Sequence, residues 1–344
     1  YDFKFVIEQP IFTWGKINNA VHLYETISET KKFNIQKSKS EIRTKINIYS
    51  HTLFYLHKME ECLAQQQEHA HRLVTIAEES FQNGFILSAD LLNAKISAKK
   101  IDVAVAELNE QKAQVFLELQ HLSGLKKIDY DDFDFSFVKP IDAIEVSSQE
   151  NYYKKAVEIN PGLQMLTCLK DINELQVKIK KGYGYFKPDI GIHLELGYAG
   201  SRFPFIEKDW YGEDGIVFTS SLAFKSTLFD GGKVRNDINK SQEELNKALF
   251  QYQDGLNNLD QFISESILKL ELNKRNIEYY RLKQENDKEQ ITLRKTQFDA
   301  GAGAEKDYLQ EKINLNTDLI NEYKETIDFY KNYFSLESVA RAEE

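Results

Sequence analysis

Two aspartates occupy matching positions, each a few residues after a short glycine turn. Aspartates placed in this way could bind cations. Asp90 lies six residues after Gly84, and Asp307 lies six residues after Gly301. Carboxylates that gather near one another attract cations and raise each other's pKa. An aspartate at a helix start that follows a glycine turn is equally suited to capping that helix. The sequence is compatible with both interpretations.

Motifs for catalysis, nucleotide binding and metal binding do not stand out elsewhere in the sequence. There is no HExxH signature and no Walker motif, and the Gly-x-Gly pairs at 182–184 and 301–303 neither follow a strand nor open a nucleotide-binding helix. His69 and His71 are two residues apart on a predicted helix, so their rings point to different faces. We therefore expect no enzyme, no cofactor and no metal.

The composition favours a long helical protein. Of 344 residues only 5 are proline, and none of these lies in the stretches 15–82 and 232–299, so both stretches can be helical throughout. The net charge of -10 disfavours a nucleic-acid partner. No run of about 18 apolar residues exists, which excludes a transmembrane helix. We expect Cys62 and Cys168 to be buried small hydrophobic residues.

The chain repeats itself at a fixed offset. QPIFTWGKINN at 9–19 matches STLFDGGKVRN at 226–236. Phe12 in the first stretch corresponds to Phe229 in the second, so the offset is 229 − 12 = 217 residues. The same offset pairs further residues: Phe81 with Phe298, Gly84 with Gly301, Asp90 with Asp307, Leu92 with Leu309, Lys95 with Lys312, and Ile96 with Ile313. No insertion separates these matches, so both copies should form the same rigid unit. We infer a tandem duplication.

Each unit is predicted to contain a strand, a long helix, a glycine tip and a return helix. The helix from Gly232 to about Asp299 would be roughly 100 Å long, and its apolar residues recur as in a coiled coil. The return helix is expected to pack on the outgoing one. Its packing stripe in the second unit is Leu309, Ile313, Asn316, Ile320, Tyr323, Ile327, Tyr330 and Phe334. In the first unit we assign the equivalent stripe to Leu92, Ile96, Val103, Ala106 and Leu117.

Alternating apolar and polar residues predict three strands. Their apolar faces are formed by Phe3, Phe5 and Ile7, by Ile190, Ile192, Leu194, Leu196 and Tyr198, and by Ile216, Phe218, Leu222 and Phe224. A tilted strand of this length can span a membrane, with its apolar face toward lipid and residues such as His193 lining a wet lumen. The loop aromatics Phe203, Phe205, Trp210 and Tyr211 would belong to an interfacial girdle. A soluble hairpin with one face on a core would show the same alternation.

These patterns divide the chain into three parts. Residues 1–127 form the first repeat, 128–147 an acidic and irregular connector, and 148–344 the second repeat, which opens with a helix at Asn160–Pro161. By the same offset, the counterpart of that opening helix would lie upstream of residue 1. We therefore expect that about 70 residues of the first repeat precede this sequence.

The order of motifs resembles the TolC-like outer membrane efflux protein family. It runs NPGL, a helix, KPDIGIHLELGY, a second strand, LFDGGKVRN, a long helix, the tip QFDAGAGAEKDYL and a return helix. The first half repeats it as QPIFTWGKINN and SFQNGFILSADLL. The resemblance implies a mainly α fold with a small antiparallel β part, in which long coiled-coil hairpins form an α-barrel. The strands would belong to a trimeric transmembrane β-barrel.

The same resemblance implies a function and partners. The chain would be a passive homotrimeric channel in the outer membrane of a Gram-negative bacterium, with most of its residues in the periplasm. A periplasmic adaptor protein would link it to the inner-membrane transporter that drives efflux or secretion. The transported substrate stays open.

Site residues also follow from the resemblance. The tips at Gly84 and Gly301 would face the inner membrane and close the channel at rest, with Asp90 and Asp307 near the constriction. Where some members carry an arginine and an acidic residue, this chain has Gly303 and Gln310, so Lys306 is a substitute donor for the resting latch. Candidates for adaptor contact are Phe85, Ile86, Leu87, Ala302 and Gly303. Packing across each hairpin is the alternative for these tip residues.

Other protein classes compete with the channel interpretation. A coiled-coil pore-forming toxin would place an apolar hairpin inside a helical bundle, whereas here apolar strands flank duplicated helical hairpins. A periplasmic adaptor would need lipoyl-like and small β-barrel segments, and we find none. A purely structural coiled coil does not account for the alternating strands.

Overall fold

The computed structural model of the protein describes residues 2–199 and 216–340. In chain order the elements are β1 (Asp2–Phe12), α1 (Lys16–Gln82), α2 (Ser88–Ser123), α3 (Gln149–Ile159), α4 (Pro161–Gly182), β2 (Asp189–Ala199), β3 (Ile216–Lys225), α5 (Lys233–Asp299) and α6 (Glu305–Ala340). The predicted fold of long helices with a small antiparallel sheet is confirmed. The loop aromatics Phe203, Phe205, Trp210 and Tyr211 lie outside the described residues. Among the described helices, none is long and apolar enough to cross a bilayer.

The four long helices form two pairs of equal length. α1 and α5 have 67 residues each, and α2 and α6 have 36 residues each. The first and last residues of α5 lie 217 positions after those of α1 (233 − 16 and 299 − 82). The first and last residues of α6 lie 217 positions after those of α2 (305 − 88 and 340 − 123). The helix boundaries therefore follow the same offset as the sequence matches.

The chain divides into two compact units. The first, unit 1, comprises Tyr1–Gln36 and Pro161–Asn257, and the second, unit 2, comprises Lys37–Asn160 and Asn258–Glu344. Unit 1 contains the sheet, α4 and the first parts of α1 and α5. Unit 2 contains the rest of those helices, both glycine tips, α2, α3 and α6.

The sheet of unit 1 is antiparallel with the strand order β1-β2-β3. Phe5 lies opposite Leu196, which in turn lies opposite Phe218. Residues that face each other across neighbouring strands project on the same side of a sheet, so the predicted apolar residues of all three strands share one face. Ser220, opposite Leu194, interrupts that face. The opposite face carries Lys4, Val6, Glu8, His193, Glu195, Thr219 and Ser221.

Both long helices of unit 1 begin at matching caps. The Ile17 N–H donates to Thr13 Oγ1 at 3.5 Å, and the Val234 N–H donates to Asp230 Oδ2 at 2.8 Å. Thr13 and Asp230 stand in for the missing carbonyl partners of the first helical turn. The Tyr185 hydroxyl donates a hydrogen bond to the Asp230 carboxylate and lowers the pKa of Asp230. The backbone N–H groups of Gly232 and Val234 also donate to this carboxylate and lower the pKa further. These caps place the strand-to-helix turn at the same point of each sequence repeat.

A buried lysine connects the start of α1 to the start of β2. Lys16 is 8% exposed, its ammonium lies 2.5 Å from Asp189 Oδ2, and it sits 4.2 Å from the centre of the Tyr183 ring. A Cβ at Gly182 would come within 2.6 Å of Lys16 Cγ, so glycine makes room for this close packing. The lysine therefore fixes the sheet to the base of the helix.

In unit 2 the four long helices lie side by side in the order α2–α1–α6–α5. Lys112 of α2 contacts Glu60 of α1 at 2.6 Å. Gln66 of α1 donates to Thr317 of α6 at 2.7 Å, and α5 and α6 are joined by several polar pairs. The buried apolar cluster contains Leu53, Leu56, Met59, Cys62, Leu63, Leu108, Val115, Leu119, Ile320 and Ile327. Cys62 and Cys168 are buried and free, as expected for small hydrophobic residues.

The packing stripe predicted for α2 is wrong. Ile96 is 57% exposed and Leu117 is 64% exposed, and Leu92, Val103 and Ala106 are exposed as well. The residues of α2 that are buried are Ala98, Leu108, Val115 and Leu119. α2 has two apolar stripes, and the stripe that contacts α1 is not the one that the 217-residue offset selects. In α6, by contrast, every residue of the predicted stripe is buried or half-buried.

The connector at 128–147, here called the strap, is anchored by aromatic rings. It contains three single-turn 3-10 helices and no α-helix. The Tyr130 ring lies 4.1 Å from the ring of His57, and Phe137 lies 5.2 Å from His51. Ile141 is 4% exposed. The predicted irregular connector is thus held by buried apolar side chains, while its acidic residues face solvent.

Candidate functional site

Both hairpin tips of unit 2 are built in the same way. Gly84 and Gly301 have positive φ angles of 74° and 73°, which favour glycine. At the first tip the Phe85 N–H donates to Ser80 O at 2.8 Å, and at the second the Ala302 N–H donates to Gln297 O at 2.8 Å. This is the helix-ending geometry in which a left-handed glycine reverses the chain. The glycines assigned to the tips therefore have a direct conformational reason.

Asp90 is a capping residue at the start of α2. Its Oδ2 accepts from the Leu87 N–H at 3.2 Å, and the Asp90 N–H bonds Leu87 O at 3.0 Å. A negative side chain in the first turn of a helix also interacts favourably with the helix dipole. The capping interpretation is therefore what the structure shows for Asp90, although its side chain is exposed.

Asp307 and Asp90 line one cleft near the tips. This cleft has a volume of about 1070 Å³ and lies among α1, α2 and α6, with Ile86, Lys306 and Gln310 also in its wall. Asp307 is exposed and occupies the first turn of α6. The structure thus brings both predicted aspartates and the predicted donor Lys306 to one concave surface, which Lys100 and Lys324 also line.

An ion pair near the tips joins the two hairpins. Arg72 of α1 binds Glu305 of α6 through two bonds, Nε to Oε1 at 2.9 Å and one terminal nitrogen to Oε2 at 2.8 Å. The guanidinium lowers the pKa of the Glu305 carboxyl by donating to it. Planar, two-point pairs of this kind are the strongest arginine–carboxylate contacts. We call this pair the Arg72–Glu305 clasp.

The predicted adaptor-contact residues differ in exposure. Phe85 is 80% exposed and Leu87 is 73% exposed, whereas Ile86 is half-buried in the tip cleft. Ala302 and Gly303 are exposed. A Cβ at Gly303 would lie 2.9 Å from Gln297 Cβ, so the tight second tip disfavours the arginine that some family members carry there.

The apolar face of the sheet is open to its surroundings. Phe5 is 64% exposed, Phe218 67%, Leu222 58% and Phe224 65%. A face this apolar is normally covered by a core, a partner or lipid. Ile190, Ile192, Leu194 and Tyr198 of the central strand β2 are half-buried.

The opposite face of the sheet carries a chain of charged side chains. Lys4 contacts Glu195 at 3.2 Å. His193 lies between two carboxylates, with Nδ1 3.3 Å from Glu8 and Nε2 3.6 Å from Glu195. This polar network crosses β1 and β2 and contrasts with the apolar side of the same strands. Over the part of the chain that the structure describes, no group of three or more metal-ligating side chains is found.

Comparisons by sequence give no match: neither a protein-family model nor a curated protein sequence matches the chain. Comparisons of structure do. VceC, an outer membrane protein from Vibrio cholerae, superposes with a TM-score of 0.80 at 15% identity over 100% of this chain and 80% of VceC. The outer membrane channel CmeC from Campylobacter jejuni gives 0.79 at 15% identity over 98% and 71%. The open MtrE outer membrane channel from Neisseria gonorrhoeae gives 0.71 at 10% identity over 97% and 80%.

The chain has the fold of these outer membrane channels. The mainly α fold with a small antiparallel sheet, which the resemblance to the TolC-like family implies, is thereby confirmed. The superposition with VceC covers 100% of this chain, so it includes the strap, the two helical hairpins and the sheet.

Sequence analysis missed the Arg72–Glu305 clasp. The two residues are 233 positions apart, and their counterparts at the 217-residue offset, Glu289 and Ser88, do not repeat the pair. A signal exists in hindsight, since Arg72 is the only arginine between residues 44 and 201. Without the order of the helices, nothing indicates which carboxylate faces it.

Proposed function

We propose that this protein is the outer membrane channel of a tripartite efflux or secretion system in a Gram-negative bacterium. It acts as a passive homotrimeric conduit whose helices lie in the periplasm and whose strands cross the outer membrane. A periplasmic adaptor couples it to an inner-membrane transporter, which supplies the energy. The chain itself carries out no chemical reaction.

The observation that carries this proposal is the sheet with two chemically different faces. Aromatic and aliphatic side chains of three strands lie exposed on one side, and the Lys4–Glu195–His193–Glu8 network lies on the other. A soluble hairpin would cover its apolar face with a core, whereas a membrane strand turns that face to lipid and its polar face to a wet lumen. The exposure therefore favours membrane strands over the soluble alternative.

The edge helices of unit 2 support a ring of several copies. α2 and α5 each carry an exposed apolar stripe in which several residues are seven or fourteen positions apart, as in a coiled coil. On α2 the stripe is Leu92, Ile96, Val103 and Leu117, and on α5 it is Leu268, Leu272, Tyr279, Leu282 and Leu293. Because the two stripes differ, α2 of one copy would pack on α5 of the next, and such a contact closes into a ring if the rotation allows.

The equal helix lengths support the tandem duplication within each copy. Two repeats of one strand, one long helix and one return helix give each protomer two quasi-equivalent hairpins. In the trimer these hairpins would form the helical tube, with the tips at its periplasmic end. Phe85 and Leu87 project there as adaptor contacts, while Asp307, Asp90 and Lys306 surround the closed constriction that the Arg72–Glu305 clasp stabilises.

Disulfide cross-linking tests the proposed ring. Val103→Cys is combined in turn with Tyr279→Cys, Leu282→Cys and Leu293→Cys in the full-length protein, purified from the outer membrane in detergent. We expect at least one combination to give covalent species that end at the trimer, and the single variants to stay uncross-linked. A ladder that continues beyond the trimer, or no cross-link in any combination, would contradict the closed ring.

A further inference from the structure

Two buried aspartates face each other in the seam between α5 and α6. Asp318 is 4% exposed and Asp287 is 7% exposed. Lys283, one turn before Asp287 on α5, donates to Asp318 Oδ1 at 2.7 Å. A single lysine therefore neutralises one of two buried carboxylates, and the second is left without a countercharge of its own.

The second carboxylate also lacks a hydrogen-bond donor. Asp287 Oδ2 is completely buried and has no hydrogen-bond partner, although its side chain lies within hydrogen-bonding reach of Asp318. A buried ionised acceptor without a donor is strongly destabilising. Two carboxylates within reach of one another remove this problem when one of them is protonated, because the carboxyl O–H then donates to its neighbour.

The charges around Asp287 favour protonation. Lys283 reaches it from α5, and Asp318 and Glu311 reach it from α6. Burial raises the pKa of Asp287 most, the contact with Asp318 and its negative charge raise it further, and only Lys283 opposes them. The carboxylates therefore outnumber the cations at this point of the seam.

We propose that Asp287 and Asp318 share one proton at pH values where an exposed aspartate is already ionised, which makes the α5–α6 seam a proton-binding site. Two like charges that are buried in contact disfavour the ionisation of both carboxyl groups, so the proton belongs to the pair. While the proton is present, a carboxyl-to-carboxylate hydrogen bond connects α5 and α6. Its loss at higher pH leaves two buried anions that push the helices apart.

The sign of the pH dependence follows from linkage. Because the pKa of Asp287 is raised on folding, the native protein holds one proton more than the unfolded chain between the ordinary aspartate pKa and the raised one. The stabilisation is complete below the ordinary value and is lost as the pH rises through the raised value. Elsewhere, carboxylates with lowered pKa values act in the opposite direction, so a matched variant is needed to isolate the pair.

Urea unfolding of the full-length protein in detergent, measured over a series of pH values, tests the site. Relative to wild type, Asp287→Asn should remove a component in which the unfolding constant rises by up to about tenfold per pH unit. Asp299→Asn, which changes an exposed aspartate at the end of α5, is the matched control and should leave that component in place. An identical pH profile for wild type and Asp287→Asn would overturn the proposal.

Infrared spectroscopy of the folded protein provides a second test that does not depend on refolding. Over a pH series that rises from the ordinary aspartate pKa, wild type should keep the carbonyl stretch of a buried protonated carboxyl group after exposed aspartates have ionised, and Asp287→Asn and Asp318→Asn should each lose it. Absence of this band in wild type would overturn the shared proton. So would an unfolding constant that responds to sodium or calcium at fixed pH in wild type but not in Asp287→Asn, since a cation would then occupy the site.

Discussion

The two helical hairpins of unit 2 have equal lengths but are held together by different forces. α1 and α2 meet through buried apolar side chains such as Leu53, Leu56 and Leu108. α5 and α6 also bury polar groups along their contact, namely Asn273, Gln284, Asp287 and Asp318. Several of these bond across the seam: Asn273 reaches Glu325 at 2.9 Å, and Gln284 reaches Glu322 at 2.7 Å.

The difference shows how two hairpins of equal length can differ in their sensitivity to displacement, pH and substitution. Apolar burial is non-directional, so the buried part of the α1–α2 contact tolerates small displacements. The polar pairs of that contact, Lys112 with Glu60 at 2.6 Å and Gln67 with Asp102 at 2.8 Å, join residues that are only half-buried. A buried polar seam depends on every partner being in place, because an abandoned group stays desolvated and unpaired. The α5–α6 hairpin should therefore be the more sensitive of the two to pH and to single substitutions of polar residues.

The largest expected effect comes from the apolar hairpin. Leu53 is 0% exposed, and Leu53→Ala should lower the free energy of unfolding by about 2–5 kcal/mol, because it removes buried methyl groups and leaves a cavity. Urea unfolding measures this loss. Leu125→Ala, at a position that is 59% exposed, is the control and should change the value little. Equal effects at the two positions would mean that the α1–α2 contact is not a packed core.

Removing one partner of the Lys283–Asp318 pair tests whether the α5–α6 seam depends on its polar contacts. Lys283→Met leaves the buried Asp318 carboxylate without its donor and should destabilise the protein by about 1–3 kcal/mol. The double variant Lys283→Met with Asp318→Leu removes both partners and should be more stable than Lys283→Met alone. If the double variant is instead the less stable one, the pair contributes net stability and the seam is not held mainly by the need to satisfy its own groups.

Low pH should destabilise the protein through His51, a residue of α1 that contacts the strap. His51 is 4% exposed, and burial lowers its pKa, although its bond to Asn47 O opposes the shift. The folded protein then binds fewer protons than the unfolded chain, so stability falls as the pH drops below about 6.5. His51→Gln should flatten this fall in unfolding experiments, while the exposed control His22→Gln should retain it. An unchanged profile in His51→Gln would assign the acid sensitivity to other groups.

The Arg72–Glu305 clasp should have the smallest effect on stability. Its side chains are 47% and 30% exposed, and Arg72→Gln should lower the free energy of unfolding by only about 0.2–1 kcal/mol, less at high salt. Lys58→Gln, which breaks an exposed pair within α1, is the matched control. The clasp differs from that control because it joins two hairpins, so Arg72→Gln should also increase the open probability of the reconstituted channel. A larger loss of stability without any change in opening would make the clasp purely structural.

Much of the fold follows from local patterns. The absence of proline over 15–82 and 232–299 and the glycine tips account for the bounds of α1 and α5, and alternation identifies the shared apolar face of the strands. The α2 stripe was mispredicted because α2 carries two apolar stripes, and helical periodicity does not say which one meets α1. The buried Asp287–Asp318 pair and the Arg72–Glu305 clasp depend on which helix lies beside which, information that residue spacing along one chain does not contain.

Only part of the candidate site could be predicted from the sequence, because the order of the helices is not encoded in residue spacing. Local geometry explains Gly84, Gly301 and the capping role of Asp90, which sequence analysis had weighed against an ion-binding role. Asp307 and Lys306 line the same cleft as Asp90 because α6 packs beside α1 near the tips. The second tip is tight at Gly303, where a Cβ would lie 2.9 Å from Gln297 Cβ.

Single-channel conductance in planar bilayers tests the central claim most directly. The full-length protein is compared with Asp90→Asn, Asp307→Asn and the double variant, each checked as a folded trimer. We predict a small cation-selective conductance in wild type, with loss of selectivity or a larger conductance that is greatest in the double variant and greater for Asp307→Asn than for Asp90→Asn. A folded trimer without conductance, or variants indistinguishable from wild type, would contradict a conduit closed by carboxylates at its tips.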